Sequence, residues 1–172
     1  SSTLIRYLVE NSQEDDEFIL ISNKSLGSVD DELTSIIKPF SKRVKYFEWT
    51  YPGSTSYLSN FHETKTAIAE KIRSYSLCLL NCDIILITSF FEGFRDNSII
   101  EFDKDFDLPP IASIFYDLIP LINPEIYLDI NSEFKAFYLK RLEYLNQVDC
   151  LLSISKSSFQ EAYKYLSIDK SN

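Results

Sequence analysis

A chain of 172 residues, 45% of them hydrophobic and with a net charge of −9, is long enough to build one domain around a full core. An acidic surface of this kind repels a nucleic-acid backbone or an anionic bilayer, so neither is an expected partner. Lys38, Lys42, Arg43 and Lys45 form the one basic cluster, and it reads first as a solvated loop and strand start.

Along the chain, residues 3–9 (TLIRYLV) space Leu4 from Leu8 and Ile5 from Val9 by four, as one face of a helix does, and the polar run 10–16 closes it. FILIS (18–22) predicts a short buried strand. VDDELTSIIKPF (29–40) places acids early and a lysine late, which suits a helix dipole, and Pro39 ends it. VKYFEWT (44–50) alternates like a strand, and Pro, Gly, Ser and Asn make 51–60 a loop. A long helix is expected over 61–80, with Ile68, Ile72, Tyr75 and Leu79 on its buried face. DIILIT (83–88) is a continuous apolar run, as in a strand covered on both sides. IASIFY (111–116) follows Pro109 and Pro110 as a further strand.

Asn131 and Ser132 are cap-type residues at the head of a helix in which Phe134, Tyr138, Leu142 and Leu145 share a face. CLLSIS (150–155) is the last strand. Ser155 is placed to cap the final helix, where Ser158 and Glu161 also have the spacing of a capping box. The alternation of helices and strands predicts an α/β fold: a Rossmann-like parallel sheet with helices on both faces, in a single domain over 1–172. Doubly wound domains usually open with a strand. This chain opens with a helix, starts at Ser1 and contains no methionine, so a first strand is expected to be missing and the chain to be a fragment.

In an open parallel sheet, ligands bind beyond the carboxyl ends of the strands. The strand at 83–88 leads there to Ser89, Glu92, Gly93, Asp96 and Asn97. The next leads to Asp117, and the last to Ser155 and Ser158. Carboxylates and hydroxyls on such a rim suit sugar hydroxyls, which both donate and accept. Gly93 permits a tight turn or close approach. Asp117, directly after a buried strand and before apolar LIPL, is costly unless paired or used. As a solvated turn, Glu92 and Asp96 need no ligand, and Ser155 is explained by capping alone.

Other chemistries fail on the residues. His62 is the sole histidine and reads as an exposed residue at a helix start. DKDFD (103–107) lacks the turn glycine and final glutamate of a calcium loop and precedes a strand instead of ending one. With three glycines, the chain has no G-x-G-x-x-G or phosphate loop. No metal site or cofactor is therefore expected. Cys78, Cys82 and Cys150 are odd in number and sit in apolar runs, as buried free thiols do. No apolar stretch reaches the length of a membrane span and no signal peptide opens the chain, so the cytoplasm is the expected compartment.

The stretch SFFEGFRDNSI…PPIASIFYDLIPLINPEIYL…FYLKRLEYLNQVDCLLSISKSS resembles the N-terminal domain of family 4 glycosyltransferases. These are retaining enzymes of the two-domain GT-B type, and mannosyltransferases of polysaccharide assembly are the nearest group. The likeness is carried by Ser89 to Gly93, Tyr116 to Leu121, Pro124 to Leu128, Tyr138 to Leu142 and Ser153 to Ser158. It covers residues 83 to 166, and the order and spacing of the segments make it specific.

The resemblance implies an acceptor-facing domain. The nucleotide-sugar donor would be held mainly by an absent C-terminal domain, and the acceptor would be a glycan or lipid-linked glycan. In that setting Asp117 is the candidate catalytic residue, with Glu92, Gly93, Asp96, Tyr116 and Ser155 as candidate substrate-binding residues. The family often carries His where this chain has Tyr116, and Tyr does not titrate near neutral pH. The fragment alone is expected to be inactive. The alternative is a non-catalytic binding or scaffold module derived from such a domain.

Overall fold

The computed structural model describes residues 2–27, 34–35, 37–60 and 62–166. The chain divides into two compact units, Ser1–Pro52 and Gly53–Asn172. Each pairs its strands in parallel, so the α/β class expected from the alternation is the one observed.

The first unit contains helix α1 (Ser2–Asn11), strand β1 (Phe18–Asn23) and strand β2 (Val44–Trp49). The two strands pair from Phe18 opposite Val44 to Asn23 opposite Trp49. The helix expected from residue 29 falls largely outside the described residues; its end, Lys38–Phe40, is a 3-10 turn containing Pro39. Arg43 does not face solvent for a partner. Its guanidinium donates to the Val9 carbonyl in the last turn of α1 and, beyond that helix, to the Gln13 and Asp16 carbonyls and the Ser12 hydroxyl. Lys45 pairs with Glu17 at 2.7 Å. Two members of the basic cluster are thus spent on neighbours.

The second unit holds the one-turn helix α2 (Tyr57–Asn60), helix α3 (Glu63–Leu79), strands β3 (Ile85–Ile87) and β4 (Ile111–Phe115), and the one-turn helices α4 (Ile119–Ile122) and α5 (Pro124–Tyr127). Helix α6 (Ser132–Leu145), strand β5 (Cys150–Ser153) and helix α7 (Lys156–Tyr165) complete it. The strand order is β3-β4-β5. The register sets Ile85 against Ile111, Ala112 against Cys150 and Phe115 against Ser153. As the central strand, β4 buries Ile111, Ala112, Ser113 and Phe115, as its largely apolar sequence leads one to expect.

α6 buries Phe137, Tyr138, Leu142 and Leu145 and is capped by Asn131, whose side chain accepts from the Phe134 N–H at 2.9 Å. The buried face of α3 differs from the expected one. Tyr75 and Leu79 are 56% and 63% exposed, and Ile68 is also exposed, while Thr66, Ala69, Ser74 and Leu77 are buried. Small residues let this helix approach closely, and hydrogen bonds fix the seam. The Ser74 hydroxyl accepts from the Asp103 N–H at 2.9 Å, and Arg73 Nη1 donates to the Glu101 carbonyl at 2.9 Å.

Candidate functional site

Because β3, β4 and β5 run parallel and in register, the segments after Ile87, Phe115 and Ser153 leave the sheet along one edge. Two side-chain hydroxyls join them. Tyr116 donates across to the Thr88 carbonyl at 3.3 Å, and Ser158 donates to the Tyr116 carbonyl. The turns after all three strands therefore belong to one rim, as the topology predicts.

On that rim each candidate residue has a definite environment. Glu92 is exposed, and its Oε1 accepts from the Ser89 hydroxyl at 2.8 Å. Asp96 is exposed and closes a tight turn by accepting from the Ser98 N–H at 2.7 Å. Tyr116 is half-exposed. Asp117 is part-buried, and its Oδ1 accepts from the Ile119 N–H at 3.0 Å, closing a tight turn ahead of α4. Ser155 caps α7 by accepting from the Ser158 N–H at 3.1 Å. The expected second capping box is not formed. Glu161 reaches instead to the Leu118 N–H at 3.0 Å, because the turn after β4 offers it an unpaired donor.

Gly93 is the hinge of the 89–97 turn. It is buried at φ +98, and an added Cβ would lie 2.5 Å from the Ser98 carbonyl oxygen and 2.6 Å from Arg141 Nη2. Its own carbonyl accepts from the Tyr57 N–H at 3.1 Å, and that of Phe94 from the Leu58 N–H at 2.9 Å. Asn97 secures the same turn from the other end. Its side-chain oxygen accepts from the Thr55 N–H at 2.9 Å, the Ser54 hydroxyl at 3.0 Å and the Ser56 N–H at 3.2 Å.

Beneath the turn lies a buried charge cluster that the sequence reading did not assign. Arg141, 3% exposed, pairs with Glu101 and donates through Nη2 to the Glu92 carbonyl at 2.6 Å. Its guanidinium sits 4.8 Å from the centre of the Phe137 ring. Burial pushes the Glu101 carboxyl up, but the charge and hydrogen bond of Arg141 outweigh that and hold it below the ordinary value. The signal for Arg141 was its place within the apolar stripe of α6, where an unpaired cation is costly. Phe91 stacks on Tyr138 with ring centres 4.7 Å apart. Burial, then the nearby charge of Asp117, raises the Tyr138 phenol.

The discarded constellations have structural employment. Asp103 pairs with Lys71 at 2.8 Å and accepts from the Asp105 N–H. His62 is the exposed N-cap of α3. The three cysteines are free and half-buried. Among the described residues, no group of three or more His, Cys, Asp or Glu converges as a metal site would require. No helix among them is long and apolar enough to cross a membrane.

No family model matches the chain, and no solved structure does. Curated relatives do match. They are serotype-specific mannosyltransferases WbdA of Escherichia coli, one 28% identical over 165 residues and two 26% identical over 163. Each alignment takes in 95% of this chain. The chain spans about a fifth of the length of these relatives, 20% of two and 19% of the third.

Proposed function

We propose that this chain is the acceptor-facing part of a retaining glycosyltransferase of GT-B architecture, one that moves a mannosyl group from a nucleotide-sugar to a glycan hydroxyl in polysaccharide synthesis. The observation that carries the reading is the likeness over 95% of the chain to mannosyltransferases. The rim geometry agrees with it. Glu92 and Asp96 are exposed acceptors on one turn, Tyr116 is a half-exposed donor and acceptor, and Asp117 follows it on the next. Such groups orient a hydroxyl toward an incoming sugar by hydrogen bonding, and orientation is a large share of catalysis in group transfer. The donor is held chiefly by chain beyond these residues. The scaffold reading draws on Asp117 and Ser155, whose side chains already hold a turn and cap a helix.

Substitution at Asp117 tests whether its carboxylate orients substrate or only holds the turn. Asn keeps the oxygen that accepts from the Ile119 N–H and removes the charge, whereas Ala removes both. In the complete gene product, Asp117→Asn is expected to fold normally and to lower mannosyl transfer by on the order of a hundredfold, the scale of a lost positioning contact. Full activity in the Asn variant with loss only in the Ala variant would leave Asp117 no role beyond holding its turn. The 172 residues alone, mixed with a mannosyl nucleotide and a mannose oligosaccharide, are expected to give no product. Turnover by this chain would overturn its assignment to the acceptor side.

A further inference from the structure

We infer that Arg141 is a positioning residue for the Glu92 turn, an inference that rests on the glycan-binding reading of the rim. A cation 3% exposed on a helix face otherwise lined by Phe137, Tyr138, Leu142 and Leu145 is expensive to hold. The ion pair with Glu101 does not account for it, because a buried pair contributes no more to stability than well-packed aliphatic side chains of similar size. Arg141 Nε, moreover, has no hydrogen-bond partner among the described residues. What aliphatic side chains could not supply is the contact to the turn. Nη2 donates to the Glu92 carbonyl at 2.6 Å, joining positions 49 apart in sequence.

The fork cannot swing away. One arm is tied to Glu101, and its Cζ lies over the Phe137 ring at 4.8 Å from the centre. The turn is shaped to receive it, since at Gly93 a Cβ would fall 2.6 Å from Nη2. The backbone of Glu92 is thereby fixed from below and its carboxylate from the side by Ser89, leaving it exposed toward the rim. Arg141 acts on the acceptor through Glu92. The group it sets in place is the oxygen that accepts from a sugar hydroxyl.

The test is the double substitution Arg141→Met/Glu101→Leu in the complete gene product, which replaces the pair with apolar side chains. The amides of Tyr57 and Leu58, which donate to the Gly93 and Phe94 carbonyls, report the position of the turn. Their hydrogen exchange is expected to accelerate by on the order of tenfold or more. Acceptor kcat/KM is expected to fall by roughly ten- to a hundredfold, matching Glu92→Gln, with no further loss when the substitutions are combined. Arg141→Lys, which keeps the charge but not the fork, should behave alike, and it carries both readouts if the double variant does not fold. Unchanged exchange overturns the inference, as does faster exchange with unaltered kcat/KM. If the unsubstituted protein transfers no mannose, the functional reading fails by itself, and amide exchange still decides whether Arg141 holds the turn.

Discussion

Replacing Gly93 by alanine is expected to lower the unfolding free energy by about 3–5 kcal/mol, the sum of a left-handed backbone and a steric overlap. At φ +98 an L side chain is strained whatever the space around it. Here there is no space either, with a carbonyl oxygen at 2.5 Å and a guanidinium nitrogen at 2.6 Å. The carbonyl belongs to the backbone of the same turn, and the guanidinium is held by Glu101, so neither neighbour can give way cheaply. Chemical denaturation followed by circular dichroism measures the effect. A loss of less than about 1 kcal/mol would mean that the turn relaxes around the methyl group and is not a fixed element of the rim.

Breaking the Arg141–Glu101 pair from one side has an effect of similar size. Glu101→Leu or Arg141→Met alone leaves a buried charge without its partner and should cost about 3–5 kcal/mol, whereas the two together should recover most of that loss. A double-mutant cycle on unfolding free energies gives the coupling directly, and additive single effects would contradict a buried ion pair. The pH dependence has a definite sign. The folded carboxyl of Glu101 lies below its ordinary value, so its contribution is complete above the unfolded carboxyl pKa and is lost as pH falls through the folded one. Glu101→Gln should therefore flatten the acid side of the stability profile and leave its neutral side parallel to that of the unsubstituted protein.

Much of the architecture could be read from local patterns. The strands announce themselves as short apolar or alternating runs between polar segments, and a parallel sheet then places the turns after them on one edge whatever their sequence. The face of α3 could not be read in this way. Periodicity counts apolar side chains, but this seam is made by Ala69, Ser74 and Arg73, whose partners at Glu101 and Asp103 lie 28 and 29 positions on. The same limit hid the cluster beneath the rim. Glu101 opens an acid-rich stretch that reads as a charged loop, and only Arg141, on α6, marks it as buried. Ser155 shows the opposite case, because its capping role follows from three residues of local sequence.

The two hydroxyls that lace the strand ends together both donate to main-chain carbonyls, at Thr88 and Tyr116. A main-chain acceptor is indifferent to the side chain above it. The identity of residue 88 is thus free to drift, while positions 116 and 158 must each keep a group that can donate. The lip of the sheet can in this way change its chemical character through substitution in the turns without losing its shape.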